Sequence, residues 1–429
     1  MKSIFTAFLL FLGLAITAQH HFCAFDELMK FQQERNPEFQ VSQNNLLRDA
    51  SQGTVNRTEV YRIPVVFHVV WNEDSQNVPD EVIESQIEVL NEDFRRLNAN
   101  ADQTREIFLP FAADAQIEFY LAEVDPEGNP TNGITRTFTD RENFELDLFS
   151  EANTLDEVKF TATGGIEAWD TEHYMNIWVC NIYSIFGQIF GLAYPPDNLD
   201  NWPDDFQETA DVSGVIVHYT TIGRNNPAAD EDGVDLNNSG RALVHETGHY
   251  LGLRHIWGDG FFNGCSVDDG VEDTPNAAEQ GNYTCNFDAN TCDDGEGDLP
   301  DNVENYMDYN QDECWNMFTV GQVSLMRWVL ENRREGLLDE QIVGVPSAES
   351  FEWSVFPNPI TENKLRIIQG ATSNASLTIF DASGHQLENL VLSPGSHEVL
   401  LPDYPAGMYF VQLINESNNS IYSKKVIIQ

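Results

Sequence analysis

The stretch Leu243–His255, LVHETGHYLGLRH, constrains this chain more than any other, because it holds three histidines at intervals of four and then six. On a helix, His245 and His249 point the same way, offset by about 40°. Two imidazoles on one face can share a metal ion, and Glu246 reaches the same pocket. This HExxH spacing suits zinc, with a glutamate to polarise its water. The bland alternative is a pair of helix histidines facing solvent. His255 weighs against it. A continued helix would rotate His255 about 80° from His245 and carry it about 15 Å along the axis, out of reach. Gly252 lies between, and glycine takes the left-handed conformation that ends a helix. The chain can then turn back and deliver His255 as a third ligand, leaving the fourth position for water that a catalytic zinc requires. A rival arrangement would take Glu272 or Glu279 instead, but both lie in Gly/Pro/Asp-rich sequence with no helical pattern.

Around this stretch the chain divides into four parts. Residues 1–18, MKSIFTAFLLFLGLAITA, place one lysine before an apolar run ending in small residues. The run is shorter than the ~20 residues of a membrane helix and reads as a cleaved secretory signal. Residues 19–58 are polar and weakly periodic, a pro-segment. Over 59–340, "YRIPVVFHVVW" reads as a buried strand. "PDEVIESQIEVLNEDFRRLN" follows as a helix starting at Pro79-Asp80, with Ile83, Ile87, Leu90, Phe94 and Leu97 on one face. "AQIEFYLAEV", "HYMNIWVCNI" and "SGVIVHYTTIG" are further strands, so this part is α/β with one mixed sheet. Composition shifts near Asp339–Ser350. From 350 to 429, short strands at regular spacing between Gly/Pro/Asn turns indicate a separate, small all-β sandwich.

The formal charge of −48, from 70 acidic and 22 basic residues, excludes nucleic acid and anionic membranes as partners, since phosphate binding needs clustered Lys and Arg. No later stretch is apolar for long enough to span a bilayer. Of six cysteines, Cys265, Cys285, Cys292 and Cys314 crowd into Gly- and Asp-rich sequence with too few apolar residues for a core. Crosslinks are expected there, and four cysteines allow three arrangements. Within "CSVDDGVEDTP", Asp268, Asp269, Asp273 and Thr274 offer the hard oxygens of a structural Ca²⁺ site, or else a solvated acidic loop.

The segments "GRALVHETGHYLGLRHIWGD", "DDGVEDTP", "NYMDY" and "DECWNMFTVGQ" occur in order, with "AWDTEHYMNIWVCNI" and "GVIVHY" upstream. From about Tyr61 to Leu338 the chain thereby resembles a metzincin metallopeptidase of the pappalysin/ulilysin (cytophagalysin) family. The resemblance implies an α/β (α+β) fold with a mixed twisted sheet, an active-site helix and a Met-turn at Met307. It implies one catalytic Zn²⁺ on His245, His249 and His255, with Glu246 as general base and then acid, and Tyr309 stabilising the oxyanion. It further implies calcium in the acidic loop, the disulfides Cys265–Cys292 and Cys285–Cys314, and "SGVIVHYTTIG" as the edge strand that pairs with substrate. Asp312 would line the pocket for the residue after the cut and select Arg or Lys, so that the chain could mature itself at Asn56-Arg57. In some related pro-segments one cysteine serves as a fourth zinc ligand until cleavage. Cys23 is placed for such a latency switch, or for a disulfide with Cys180.

The tail, in "VFPNPITENKLRI", "IFDASGHQL" and "PAGMYFVQLINESNNSIYSKKVIIQ", resembles the type A sorting domain of the type IX secretion system. That implies a Bacteroidetes-type source and passage through the periplasm to the outside, released or attached to the outer-membrane surface. A carbohydrate-binding sandwich is the alternative for this part. The chain as a whole is expected to be a secreted zinc endopeptidase acting on proteins or peptides as a monomer. Its rival from another class is a secreted calcium-dependent adhesin on an inactive metallopeptidase scaffold.

Overall fold

The computed structural model describes Cys23–Asp26, Met29 and residues 37–53, then 59–147, 154–184, 189–196, 212–229, 239–258, 264–281, 283–295 and 297–338. In the tail it describes 353–356, 360, 364–369, 374–381, 385–402, 404–415 and 421–428. The signal at 1–18 and the Asn56-Arg57 bond lie outside the described residues. Two compact units, Met1–Asp339 and Glu340–Gln429, divide the chain.

The first unit is built on β1 (Tyr61–Trp71). Its alternation sends Ile63, Val65, Phe67 and Val69 into the main core, while Val66 and Val70 belong to smaller clusters on the opposite face. A strand covered on both sides must be apolar almost throughout, which is why this segment is so legible. One edge of β1 pairs in parallel first with β2 (Ile117–Leu121) and then with β3 (Ile134–Phe138). The other edge pairs in parallel with β4 (Met175–Cys180). Next come β6 (Val215–His218), parallel to β4, and β5 (Gly191–Ala193), antiparallel to β6. The sheet is therefore mixed, in the order β2–β1–β4–β6–β5, with β3 beside β1. Here the sequence expectation needs correcting: "SGVIVHYTTIG" contains β6, one strand inside the edge. The edge is β5, whose three residues are too few to show a period.

Four helices have described bounds: α1 (Pro37–Gln52), α2 (Asp80–Phe94), α3 (Arg241–Tyr250) and α4 (Val320–Asn332). Helix α2 lays Ile83, Leu90 and Phe94 on the sheet, with Ile87 packed partly buried against the same core. Leu97 does not join that face. The helix stops at Phe94, Arg96 takes φ +49°, and Leu97 is 71% exposed. Helix α4 begins with a reciprocal capping box between Thr319 and Gln322. The acidic segment is crosslinked Cys265–Cys292 and Cys285–Cys314, the pairings the family resemblance implies. Cys23 and Cys180 are both free and buried, so they are not bonded to each other.

The second unit is all β. Strands β7 (Trp353–Phe356), β8 (Lys364–Gln369) and β11 (Gly395–Leu400) form one antiparallel sheet. Strands β10 (Gln386–Leu392), β9 (Ala375–Asp381), β12 (Gly407–Asn415) and β13 (Ile421–Ile428) form another. Alternate residues from both sheets, among them Leu365, Ile367, Leu377, Ile379, Val411 and Leu413, share one core. No helix among the described residues is long and apolar enough to cross a membrane.

Candidate metal centre

Helix α3 is buried along its whole length and ends as the sequence requires. Gly252 has φ +93°, the left-handed region that a side chain makes costly. Its N–H donates to His249 O (2.9 Å), and Leu253 N–H donates to Gly248 O (2.9 Å). These are the two bonds of a Schellman turn, which occupy carbonyls the helix leaves unpaired. The reversal places Leu253 O where it accepts from Nδ1 of His249 (2.9 Å), and it brings His255 back onto the helix.

The three Nε2 atoms form a nearly equilateral triangle, with sides of 3.2 Å (His245–His255), 3.1 Å (His245–His249) and 3.1 Å (His249–His255). Each Nδ1 faces an acceptor: Tyr306 O at 2.6 Å for His245, Leu253 O for His249, and Asp26 Oδ1 at 2.9 Å for His255. Those partners assign the proton to Nδ1 in all three rings, so three Nε2 lone pairs point at one another. Burial keeps His245 neutral by lowering its pKa to about 3, and it lowers His249 well below the ordinary value too. Converging lone pairs with no proton between them require a cation. A triangle of this size has a centre about 1.8 Å from each corner, compatible with the ~2.0–2.1 Å zinc–nitrogen bond. The donor set therefore fits zinc.

Around the triangle stand aromatic faces. Phe25 stacks on His249 (3.8 Å, 8°) and Trp257 on His255 (4.3 Å, 6°), while Trp315 lies nearly parallel to His245 at 5.8 Å. Met307 lies beneath helix α3: a Cβ on Gly248 would come within 2.4 Å of its Sδ. Glu246 points at the edge strand, where a Cβ on Gly191 would meet its Cγ at 2.5 Å. Cys23 closes the site. Its Sγ gathers with the three histidines as a four-donor group and donates to Glu246 Oε2 at 3.4 Å. Its carbonyl accepts from the Tyr309 hydroxyl (3.1 Å). Cys23 also bridges Gly191 in parallel, with Ala24 N–H donating to Gly191 O at 3.0 Å. Burial pushes Glu246 up to about 8, and burial together with that carboxyl pushes the Cys23 thiol well above its ordinary value. A divalent cation in the triangle would act in the opposite direction on the thiol.

The remaining sequence candidates fall elsewhere. Asp312 is buried just ahead of α3 and accepts from the Ser239 N–H (3.1 Å) and hydroxyl. Burial raises its pKa to about 6. Of the expected calcium quartet, Asp269 and Thr274 meet (2.7 Å), while Asp268 and Asp273 turn to other partners. Asp268 accepts from Gly270 N–H, Asp269 from Val271 N–H and Thr274 Oγ1. Asp273 turns to the start of α4 and accepts from Thr319 Oγ1 and Gly321 N–H. Backbone and hydroxyl donors of the loop and helix have claimed these carboxylates separately. Neither Glu272 nor Glu279 belongs to the histidine group. Sequence reasoning missed Phe25, Asp26, Gly191, Trp257 and Trp315. Phe25 and Asp26 sit beside Cys23 in "HHFCAFDELM", and their proximity to that cysteine was the available signal.

A family model described as pregnancy-associated plasma protein-A matches residues 165–331, and one described as a secretion system C-terminal sorting domain matches 354–429. A structure of a Glu-to-Ala mutant of Tannerella forsythia promirolysin is 36% identical, with TM-score 0.62. The match covers 74% of this chain and 97% of that one. Mature T. forsythia mirolysin in complex with a cleaved peptide is 39% identical, with TM-score 0.55, covering 66% and 97%. An extracellular metalloprotease of Arthroderma benhamiae is 26% identical over 288 residues, or 67% of this chain and 83% of that protein.

Proposed function

The chain belongs to the pappalysin family of metallopeptidases and is a secreted metalloendopeptidase. From that premise we propose that it is a latent zinc endopeptidase, with the metal held by His245, His249 and His255 and covered by Cys23. The observation that carries this reading is the Nε2 triangle with Glu246 and the Cys23 thiol beside it. Zinc in that triangle supplies a Lewis acid for the scissile carbonyl and makes water a better nucleophile near pH 7. Glu246 takes the proton of the attacking water and passes it to the leaving amine. Its carboxylate is aimed at the edge strand β5, along which an extended peptide can pair by main-chain hydrogen bonds. The Tyr309 hydroxyl, beside the His255 ring (centroids 4.8 Å apart), is placed to donate to the oxyanion. Met307 keeps the floor beneath the ligands apolar.

In the latent chain one residue occupies all of these groups: Cys23 bonds to Glu246 through sulfur, to Tyr309 through its carbonyl, and lies on β5. Asp312 is the proposed selector for Arg or Lys after the cut, a buried carboxylate suited to a guanidinium. Self-processing in the Asn56-Arg57 region follows from that preference. The tail is proposed to address the chain to the type IX machinery, and calcium to stabilise the crosslinked acidic segment. The test is casein hydrolysis by processed protein. Activity is expected to vanish with a zinc chelator and in Glu246→Ala, while Glu246→Ala retains its metal. Full activity in Glu246→Ala would refute the assignment.

A further inference from the structure

Two of the three histidines are oriented by main-chain carbonyls that stay with the enzyme whatever happens to the leading segment: Tyr306 O for His245 and Leu253 O for His249. The third is different. Nδ1 of His255 meets the carboxylate of Asp26, and both side chains are buried, at 0% and 3% exposure. Asp26 lies three residues after Cys23, on the segment that bridges β5. A carboxylate on the outer nitrogen of a metal-binding imidazole fixes the tautomer, aims the inner lone pair and makes it a stronger donor. Phe25, between them, lies flat on His249 and edge-on to His255 at 5.8 Å. Three residues within four of one short segment thus address the fourth metal position, the face of one ligand and the outer nitrogen of another.

We propose that this leading segment is a metal-loading element, in which Asp26 positions His255 so that the uncleaved chain holds zinc more tightly than the processed one. This rests on the latent-zinc reading above and adds to it. A thiol alone would block the site, whereas a carboxylate on the outer nitrogen of His255 is not needed to block substrate and bears on the ligand. Zinc is then acquired before cleavage, while the segment is in place. Removal of the segment takes away the fourth ligand and the carboxylate together, leaving His255 Nδ1 to solvent.

The experiment uses the full chain in a Glu246→Ala background, which prevents self-processing. Zinc affinity is measured by competition with a chromophoric chelator, and cobalt is substituted to read the thiolate band. Asp26→Asn is expected to weaken zinc binding 10–100-fold while keeping the cobalt–thiolate band, which Cys23→Ser abolishes. In a His255→Gln chain the same Asp26→Asn change is expected to have no further effect. An unchanged zinc affinity in folded Asp26→Asn overturns the proposal, and so does an equal loss with and without His255, which would mark a packing role only. Absence of the thiolate band from the Glu246→Ala chain with Cys23 and Asp26 intact would instead sink the Cys23 reading and leave the Asp26 result to stand by itself. Should Asp26→Asn fail to fold, zinc retention by the Cys23→Ser chain before and after proteolytic removal of the leading segment gives the same comparison. A fall on removal is expected, and no fall overturns the proposal.

Discussion

Replacing Gly252 by valine should cost zinc affinity without touching a ligand. Gly252 sits at φ +93°, and an L-residue in the left-handed region costs about 1–2 kcal/mol, most for a β-branched one. A Cβ there would also lie 3.0 Å from Val329 Cγ2 and 3.6 Å from both Leu46 Cδ2 and Pro196 Cγ, so there is little room to relax sideways. The metal-free chain can shed this strain by loosening the Schellman turn and letting His255 drift. The metal-bound chain cannot, because His255 must return to the triangle. Zinc binding therefore pays up to the full strain, a weakening of about 5–30-fold. Asparagine tolerates the left-handed region but carries the same Cβ, so Gly252→Asn separates backbone strain from contact. The expected order of affinity is Gly, Asn, Ala, Val. The assay is chelator competition on the full chain carrying Glu246→Ala, with melting of the metal-free protein alongside. If Gly252→Val binds zinc within twofold of glycine while its melting temperature falls, the turn is merely structural and the argument fails.

Asp312→Asn should remove a charge-assisted contact of about 1.5–3 kcal/mol to a basic side chain. A peptide library should then show a loss of roughly 10–100-fold in kcat/KM for Arg or Lys after the cut, and an unaltered preference would rule Asp312 out. His68 is buried between Thr135 and Asn176, beside Trp169 and Trp178, and burial lowers its pKa to about 4. The unfolded chain takes up the proton near pH 6.5 and the folded chain does not, so stability falls as pH drops from 6.5 towards 4. The loss is on the order of 3 kcal/mol. Urea titrations of His68→Gln should show a shallower decline across that window, and equal slopes would count against the assignment. Truncation at residue 350 should leave the protein in the periplasmic fraction, and its appearance in the medium at normal yield would refute a sorting role for the tail.

What the sequence makes legible follows from how local each signal is. The metal triad is readable because its spacing is set by one helix and one glycine, all within Leu243–His255. The strand β1 is readable because burial on both faces forces a continuous apolar run. The edge strand is not, because Gly191–Ala193 carries no period and its role comes from pairing with β6, more than twenty residues further on. Leu97 fits the helical repeat of α2 yet lies outside it, because Arg96 reverses the chain. The acidic loop is hard to read in a different way. Composition counts oxygens, but Asp273 spends its carboxylate on Thr319 and Gly321 at the head of α4, a contact across 46 and 48 residues.

The leading segment poses the sharper problem, since its fit does not follow from its own residues. Cys23, Phe25 and Asp26 matter because the edge strand, the helix turn and the ligand rings stand where they do. In the proposed mechanism the same atoms serve catalysis and latency in turn. Gly191 offers the main-chain groups that hold Ala24 and that an extended substrate would use. Glu246 accepts from the Cys23 thiol where the proposed reaction would have it accept from water, and Tyr309 donates to the Cys23 carbonyl where it would donate to an oxyanion. A segment that satisfies every functional group at once cannot be displaced piecemeal by substrate, because each partial exchange leaves a buried polar group unpaired. Cleavage of the connector, rather than competition, is therefore the route the proposed latency requires for the site to open.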